Sequence, residues 1–158
     1  MNAHEHLGLN AFPAADVGGP RASAYDWIEA LQPALATPRY REVRRIGEAV
    51  RARHGGLKNL LSGTTTVAHH DPWLAEMAGR DFPVRVVHPY GWCHSLRLAG
   101  RYGPTVAEGL AATPEGARFF VHLAEGTDEE AAGELARLDA FGGLGPSTVL
   151  VHAVGLDV

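Results

Sequence analysis

Histidines placed at the ends of short apolar runs constrain this chain more than any other feature of its 158 residues. His4-Glu5-His6 stands at the start, Phe119-Phe120-Val121-His122-Leu123-Ala124-Glu125 follows much later, and Thr148-Val149-Leu150-Val151-His152 lies close to the last residue. The later runs are too short for helices and rich in β-formers, so they predict strands that deliver a metal-binding or proton-moving group to a strand end. A strand hands its side chains alternately to two faces, which puts His4 and His6 on the same one.

Between these points the pattern alternates. Residues 7–23 read as a loop, and Ala24 to Ala36 as a helix carrying Trp27, Ile28, Leu31 and Leu35, kinked or ended by Pro33. Thr37-Pro38 opens a second helix that the spacing carries to His54, where Gly55-Gly56 can stop it, with a short continuation through Leu57, Leu60 and Leu61. Gly63 to Ala68 is a β-branched run that discharges into His69-His70-Asp71, and a helix of modest length through Leu74 and Met77 follows. Val84 to His88 predicts a strand and Pro89 to Pro104 a loop carrying Tyr90, Trp92, Cys93 and His94. After a weak helix over 104–112 comes a strand at Arg118 to Leu123. A further helix is capped by a box of Thr127 and Glu130, presents Ala131, Leu135, Leu138 and Phe141, and ends at Gly142-Gly143 before the last strand, Thr148 to His152.

Strands alternating with helices imply an α/β fold with parallel strands and helical crossovers. Chemistry at strand ends fits a (β/α) barrel or an open doubly wound sheet, and the lack of a glycine-rich phosphate loop after any strand disfavours a nucleotide-binding domain. With 46% hydrophobic residues, the chain can bury one sizeable core, so 1–158 is expected to be a single domain. A formal charge of −4, with no basic cluster beyond a solvated helix face at Arg39 to Arg53, argues against nucleic acid. No apolar run of membrane-spanning length and no charged-then-apolar leader is visible, which makes the cytoplasm the expected compartment. The single cysteine, Cys93, excludes an internal disulfide and reads as a small buried apolar residue rather than a nucleophile.

His4-x-His6, Ser62-Gly63-Thr64-Thr65-Thr66-Val67, His122-x-x-Glu125 and Val151-His152, in that order, resemble the amidohydrolase superfamily. More narrowly, they resemble its cytosine deaminase, guanine deaminase and chlorohydrolase branch, and the resemblance covers nearly the whole chain. It implies a partial (β/α)8 TIM barrel, truncated after the sixth-strand equivalent and lacking the N-terminal β-domain and C-terminal barrel strands. A full barrel of that type takes roughly 250 residues, so a piece of a longer enzyme is expected. Five strands are visible where the match to the sixth needs six, so segment 89–117 hides an irregular strand or one is skipped.

The implied activity is metal-dependent hydrolysis of a C–N bond other than a peptide bond, by deamination or amide hydrolysis of a small cyclic or polar substrate. One divalent ion, zinc ahead of iron, would be held by His4, His6 and His122, and three imidazoles with a water in an open position make hydroxide available near neutral pH. Glu125 would be the general acid/base, and His152 would polarise the substrate or stabilise charge on it. His69 and His70 are candidates for substrate contact, as is Trp92, although a loop packed by its own aromatics explains Trp92 equally well. The family's strand-eight aspartate has no equivalent here, and Asp157 follows the wrong strand to replace it.

Plainer readings stand beside these: His4 and His6 as a metal-free rim pair, His122 as an interior histidine, and Glu125 as a carboxylate favoured by a helix N-terminus. The expected partner is a small-molecule substrate, with no nucleic acid and no membrane, and the oligomeric state is left open. The alternative function is a non-catalytic metal- or partner-binding piece with a histidine-rich rim.

Overall fold

The computed structural model describes residues 1–156, so Asp157 lies outside the described residues. The chain forms two compact units, Met1–Pro20 with Tyr25–Val87 and Arg21–Ala24 with His88 onward. Each has its own sheet and its own core.

In the first unit, β1 (Asn2–Glu5), β2 (Thr66–His69) and β3 (Arg85–Val86) form a parallel sheet in the order β1-β2-β3. The β-branched run ending at Val67 supplies the central strand, and Val67 lies fully buried with Leu7, Ala52, Met77, Phe82, Val84 and Val86. The helices are α1 (Ala24–Leu35), α2 (Pro38–Arg45) and α3 (Glu48–Leu61). Pro33 lies inside α1, which continues to Leu35 although proline removes the hydrogen bond that position 33 would give to the Glu29 carbonyl.

The single helix expected from Thr37 to His54 is broken at Ile46-Gly47, both extended. The next helix, α3, runs through Gly55-Gly56 instead of stopping there. The reason is a close approach: a Cβ on Gly55 would collide with the Leu7 carbonyl, so glycine is needed for packing and not as a helix stop. The helix ends at Ser62, followed by Gly63 in the left-handed region at φ 80°. Residues Ala75–Ala78 form only a 3₁₀ turn where a modest helix was expected.

In the second unit, β4 (Tyr90–Ser95), β5 (Arg118–Leu123) and β6 (Thr148–His152) form a parallel sheet in the order β4-β5-β6. The strand β4 is the one hidden in segment 89–117. Its buried face is made of Gly91, Cys93 and Ser95, and such small residues leave little hydrophobic signal. Buried along nearly its whole length, β5 packs with Cys93, Val106, Ala131 and Leu138.

The helices are α4 (Val106–Ala112), α5 (Glu129–Ala132) and α6 (Glu134–Ala140). A capping box forms at Thr105 and Glu108, while the expected box at Thr127 and Glu130 does not: Asp128 is the N-cap and accepts from the Ala131 N–H at 2.8 Å. Gly133 divides the last helical stretch, and Phe141, expected on its apolar face, is 57% exposed.

The expected partial barrel is corrected by this topology. The class is α/β with parallel strands, but the strands fall into two separate three-stranded sheets and build no six-stranded barrel wall truncated after a sixth strand. β3 shows why the pattern misled: the run Val84 to His88 yields only two paired residues. Pro83 and Pro89 bracket that run, and proline donates no ladder hydrogen bond, so little edge is left for a further strand. Among the described residues, no helix is long and apolar enough to cross a membrane. Cys93 is fully buried, and burial pushes its thiol up to about 12.

Gly55→Ala is expected to destabilise the protein by about 1–3 kcal/mol, the range for an overpacked site. In an open helix the same change stabilises by about 1 kcal/mol. The sign of the shift in thermal unfolding therefore tests the contact with Leu7.

Candidate metal centre

The first unit gathers three histidines at one end of its sheet. His4 and His6 flank Glu5 where the register of β1 on β2 shifts between Asn2 and Glu5, and amides hold the Glu5 carboxylate. Asn59 donates to Oε2 at 2.5 Å, Asn2 to the same oxygen at 3.0 Å, and Asn10 to Oε1 at 2.7 Å. The His70 N–H donates to the Glu5 carbonyl at 3.1 Å, carrying the β1–β2 pairing one residue past β2. That places the His70 ring beside the other two.

Ring centroids are 5.3 Å apart for His4 and His6, 5.2 Å for His4 and His70, and 5.8 Å for His6 and His70. One ring nitrogen from each lies within 4.8 Å of the others, so this group can hold a metal ion. Tetrahedral nitrogen ligands at bonds of about 2.1 Å stand about 3.4 Å apart, so small ring rotations would close the set on a divalent cation.

The hydrogen bonds select tautomers. A carbonyl only accepts, so His70 donates from Nε2 to the Ala3 carbonyl at 3.2 Å and keeps its lone pair on Nδ1. His6 Nδ1 lies 3.0 Å from Asp71 Oδ2. Burial, followed by repulsion from His6 and His4, lowers the His70 pKa to about 3, and burial is likewise the main cause that lowers His69. Neutral imidazole is the form that binds metal. Burial alone would raise Asp71, but the hydrogen bond from His6 and the nearby histidine charges outweigh it and hold the carboxyl below its usual range.

The second unit holds a different constellation. His122, at the buried end of β5, donates from Nδ1 to the His94 carbonyl at 2.6 Å, which leaves Nε2 as its basic nitrogen. Its ring packs on His94 at 5.1 Å and stacks on His152 at 5.6 Å. His152 Nε2 lies 3.3 Å from Glu125 Oε2, so these two expected catalytic residues are brought together.

The backbone there is strained. Ala124, His152 and Ala153 have φ of 52°, 76° and 57°, in the left-handed region that costs an L-residue about 1–2 kcal/mol. Glu134, 1% exposed, accepts the Ala124 N–H on Oε2 at 2.6 Å and has Arg137 3.6 Å from its other oxygen. A buried carboxylate thus fixes the residue immediately before Glu125.

Of the expected site residues, His4, His6 and His70 belong to the first unit, and His122, Glu125 and His152 to the second. His69 is buried against the chain, with its Nδ1 3.4 Å from the Leu7 N–H. His70, expected as a substrate contact, stands among the candidate ligands. Half-buried Trp92 covers Gly103, where a Cβ would strike its ring. Sequence reasoning missed Asp71 and Glu134, since a carboxylate one residue past a histidine pair, or inside a helical run, looks like any solvated acid. The chain matches no protein-family description, no curated protein and no solved structure.

Because the folded pKa values of His69 and His70 lie below the unfolded value of about 6.5, their contribution to stability is complete above that pH and is lost as pH falls below it, for His70 down toward about 3. Denaturant unfolding between pH 7.5 and 4.5 should show that decline, and His70→Gln should flatten it. Glu134→Ala leaves the buried Ala124 N–H without its acceptor and is expected to cost about 1–3 kcal/mol, measured by the same unfolding curves, with Glu134→Gln losing less.

Proposed function

We propose that this chain serves as a metal-dependent hydrolase acting on a C–N bond other than a peptide bond, in a small cyclic or polar substrate. The observation that carries the reading is the convergence of His4, His6 and His70 with one nitrogen of each within 4.8 Å. The proposed ion is zinc, which accepts three imidazoles and keeps an open position. The order of HxH, SGTTTV, HxxE and VH, similar to the amidohydrolase superfamily, supports the reaction class, and it implies His122 as a further ligand.

A bound divalent ion supplies Lewis acidity that brings the pKa of a water toward about 7. Glu125 accepts the proton of the attacking water and returns it to the departing nitrogen as the C–O bond forms and the C–N bond breaks. His152, 3.3 Å from that carboxylate, orients it and polarises the substrate or stabilises the charge that develops on it. His70 is a ligand in this reading and no longer a substrate contact.

A non-catalytic metal-binding module is the second reading. The three-histidine group lies wholly within the first unit, so metal uptake needs neither Glu125 nor His152.

Protein purified with zinc should carry one equivalent per chain by elemental analysis, lost in a His4→Ala, His6→Ala double variant and reduced in His122→Ala if that residue is a ligand. A screen of cyclic amidines, aminopyrimidines and cyclic amides should reveal ammonia release or ring opening that falls by about 100-fold or more in Glu125→Gln, the scale of a lost general acid/base. Stoichiometric zinc with no turnover on any of these would favour the binding module, and no zinc uptake would end both readings.

A further inference from the structure

Asp71 is neither a ligand nor a proton carrier in the scheme above, yet it is built into the metal group from outside. Its Oδ2 lies 3.0 Å from His6 Nδ1. A carboxylate only accepts, so the ring proton sits on Nδ1 and the lone pair on Nε2. From the geometry we infer that Asp71 is a positioning residue of the metal centre: it fixes the tautomer and orientation of His6 so that Nε2 is presented to the cation. This inference rests on the proposed metal binding.

The arrangement is reciprocal across one pair of strands. The carbonyl of Ala3, on β1, receives the Nε2–H of His70, which follows β2. Asp71, which also follows β2, receives the Nδ1–H of His6, which follows β1. Each chain end thereby orients the histidine delivered by the other. The two outer partners differ in charge: Ala3 offers a neutral carbonyl, whereas Asp71 offers a carboxylate that offsets part of the charge of a dication. With the His6 and Asp71 side chains 18% and 29% exposed, the pair is partly sheltered from solvent screening.

The test uses zinc itself as the probe, with competition against a chromophoric chelator, on wild type, Asp71→Ala, Asp71→Asn and the same changes in a His6→Ala background. Asp71→Ala should weaken zinc binding 10–100-fold, the range for loss of such a partner. The uncharged amide of Asp71→Asn should fall between that variant and wild type. In the His6→Ala background, Asp71→Ala should have no further effect, because the residue acts through the ring. Long-range ¹⁵N–¹H spectra of the metal-free protein supply a readout independent of zinc, with His6 protonated on Nδ1 in wild type and shifted toward Nε2 in Asp71→Ala. Zinc affinity within twofold of wild type in Asp71→Ala, or an equal loss with and without His6, overturns the inference and leaves the metal centre standing. A wild-type protein that takes up no zinc overturns the metal centre, and that result is read before any substitution is made.

Discussion

The first unit depends on a carboxylate that does no chemistry. Glu5 sits between His4 and His6, and side-chain amides from three asparagines, one of them the buried Asn59 of α3, hold its carboxylate. The same residue's carbonyl takes the His70 N–H, so the amino acid that stands between His4 and His6 also ties the third histidine of the group to β1. Buried charge-assisted hydrogen bonds of this kind rigidify a site when every partner is present.

In the second unit the organising strain is in the backbone. β5 is deeply buried and β6 only half-buried, and the chain turns where each ends, with Ala124 and His152 in a conformation that non-glycine residues avoid. Such turns persist only where surroundings over-determine them. The Glu134 carboxylate, the Leu123 carbonyl bonded to the Ala153 N–H at 2.9 Å, and the Ala124 carbonyl bonded to the Gly155 N–H at 2.9 Å do so. The outcome is a His152–Glu125 pair displayed on a stiff support.

Much of the local structure was legible in the sequence. β-branched and apolar runs marked four strands, the alternation of His4 and His6 marked a fifth, and glycine and proline marked most boundaries. What escaped had physical reasons. β4 buries glycine, cysteine and serine, so its alternation carries almost no hydrophobic contrast. Gly55 looks like a stop but serves a close backbone approach that only tertiary structure reveals. Thr127 and Glu130 have the spacing of a capping box, yet Asp128, one residue on, offers a better acceptor. The barrel was inferred from strand count and order, whereas closure depends on edges long enough to pair, and β3 is two residues long. Within the site, the strand ends that carry His4, His6, His122 and His152 could be read directly. The grouping of His70 with His4 and His6, and the supporting carboxylates of Asp71 and Glu134, arise from contacts between segments far apart in the chain.

Cys93 offers an unplanned convenience. The only sulfhydryl in the chain is sealed in a core and held almost entirely in its neutral form under ordinary buffer conditions. Any cysteine engineered onto the surface would then be the one group open to a maleimide dye or spin label. The native scaffold therefore accepts site-specific probes on either unit with little background.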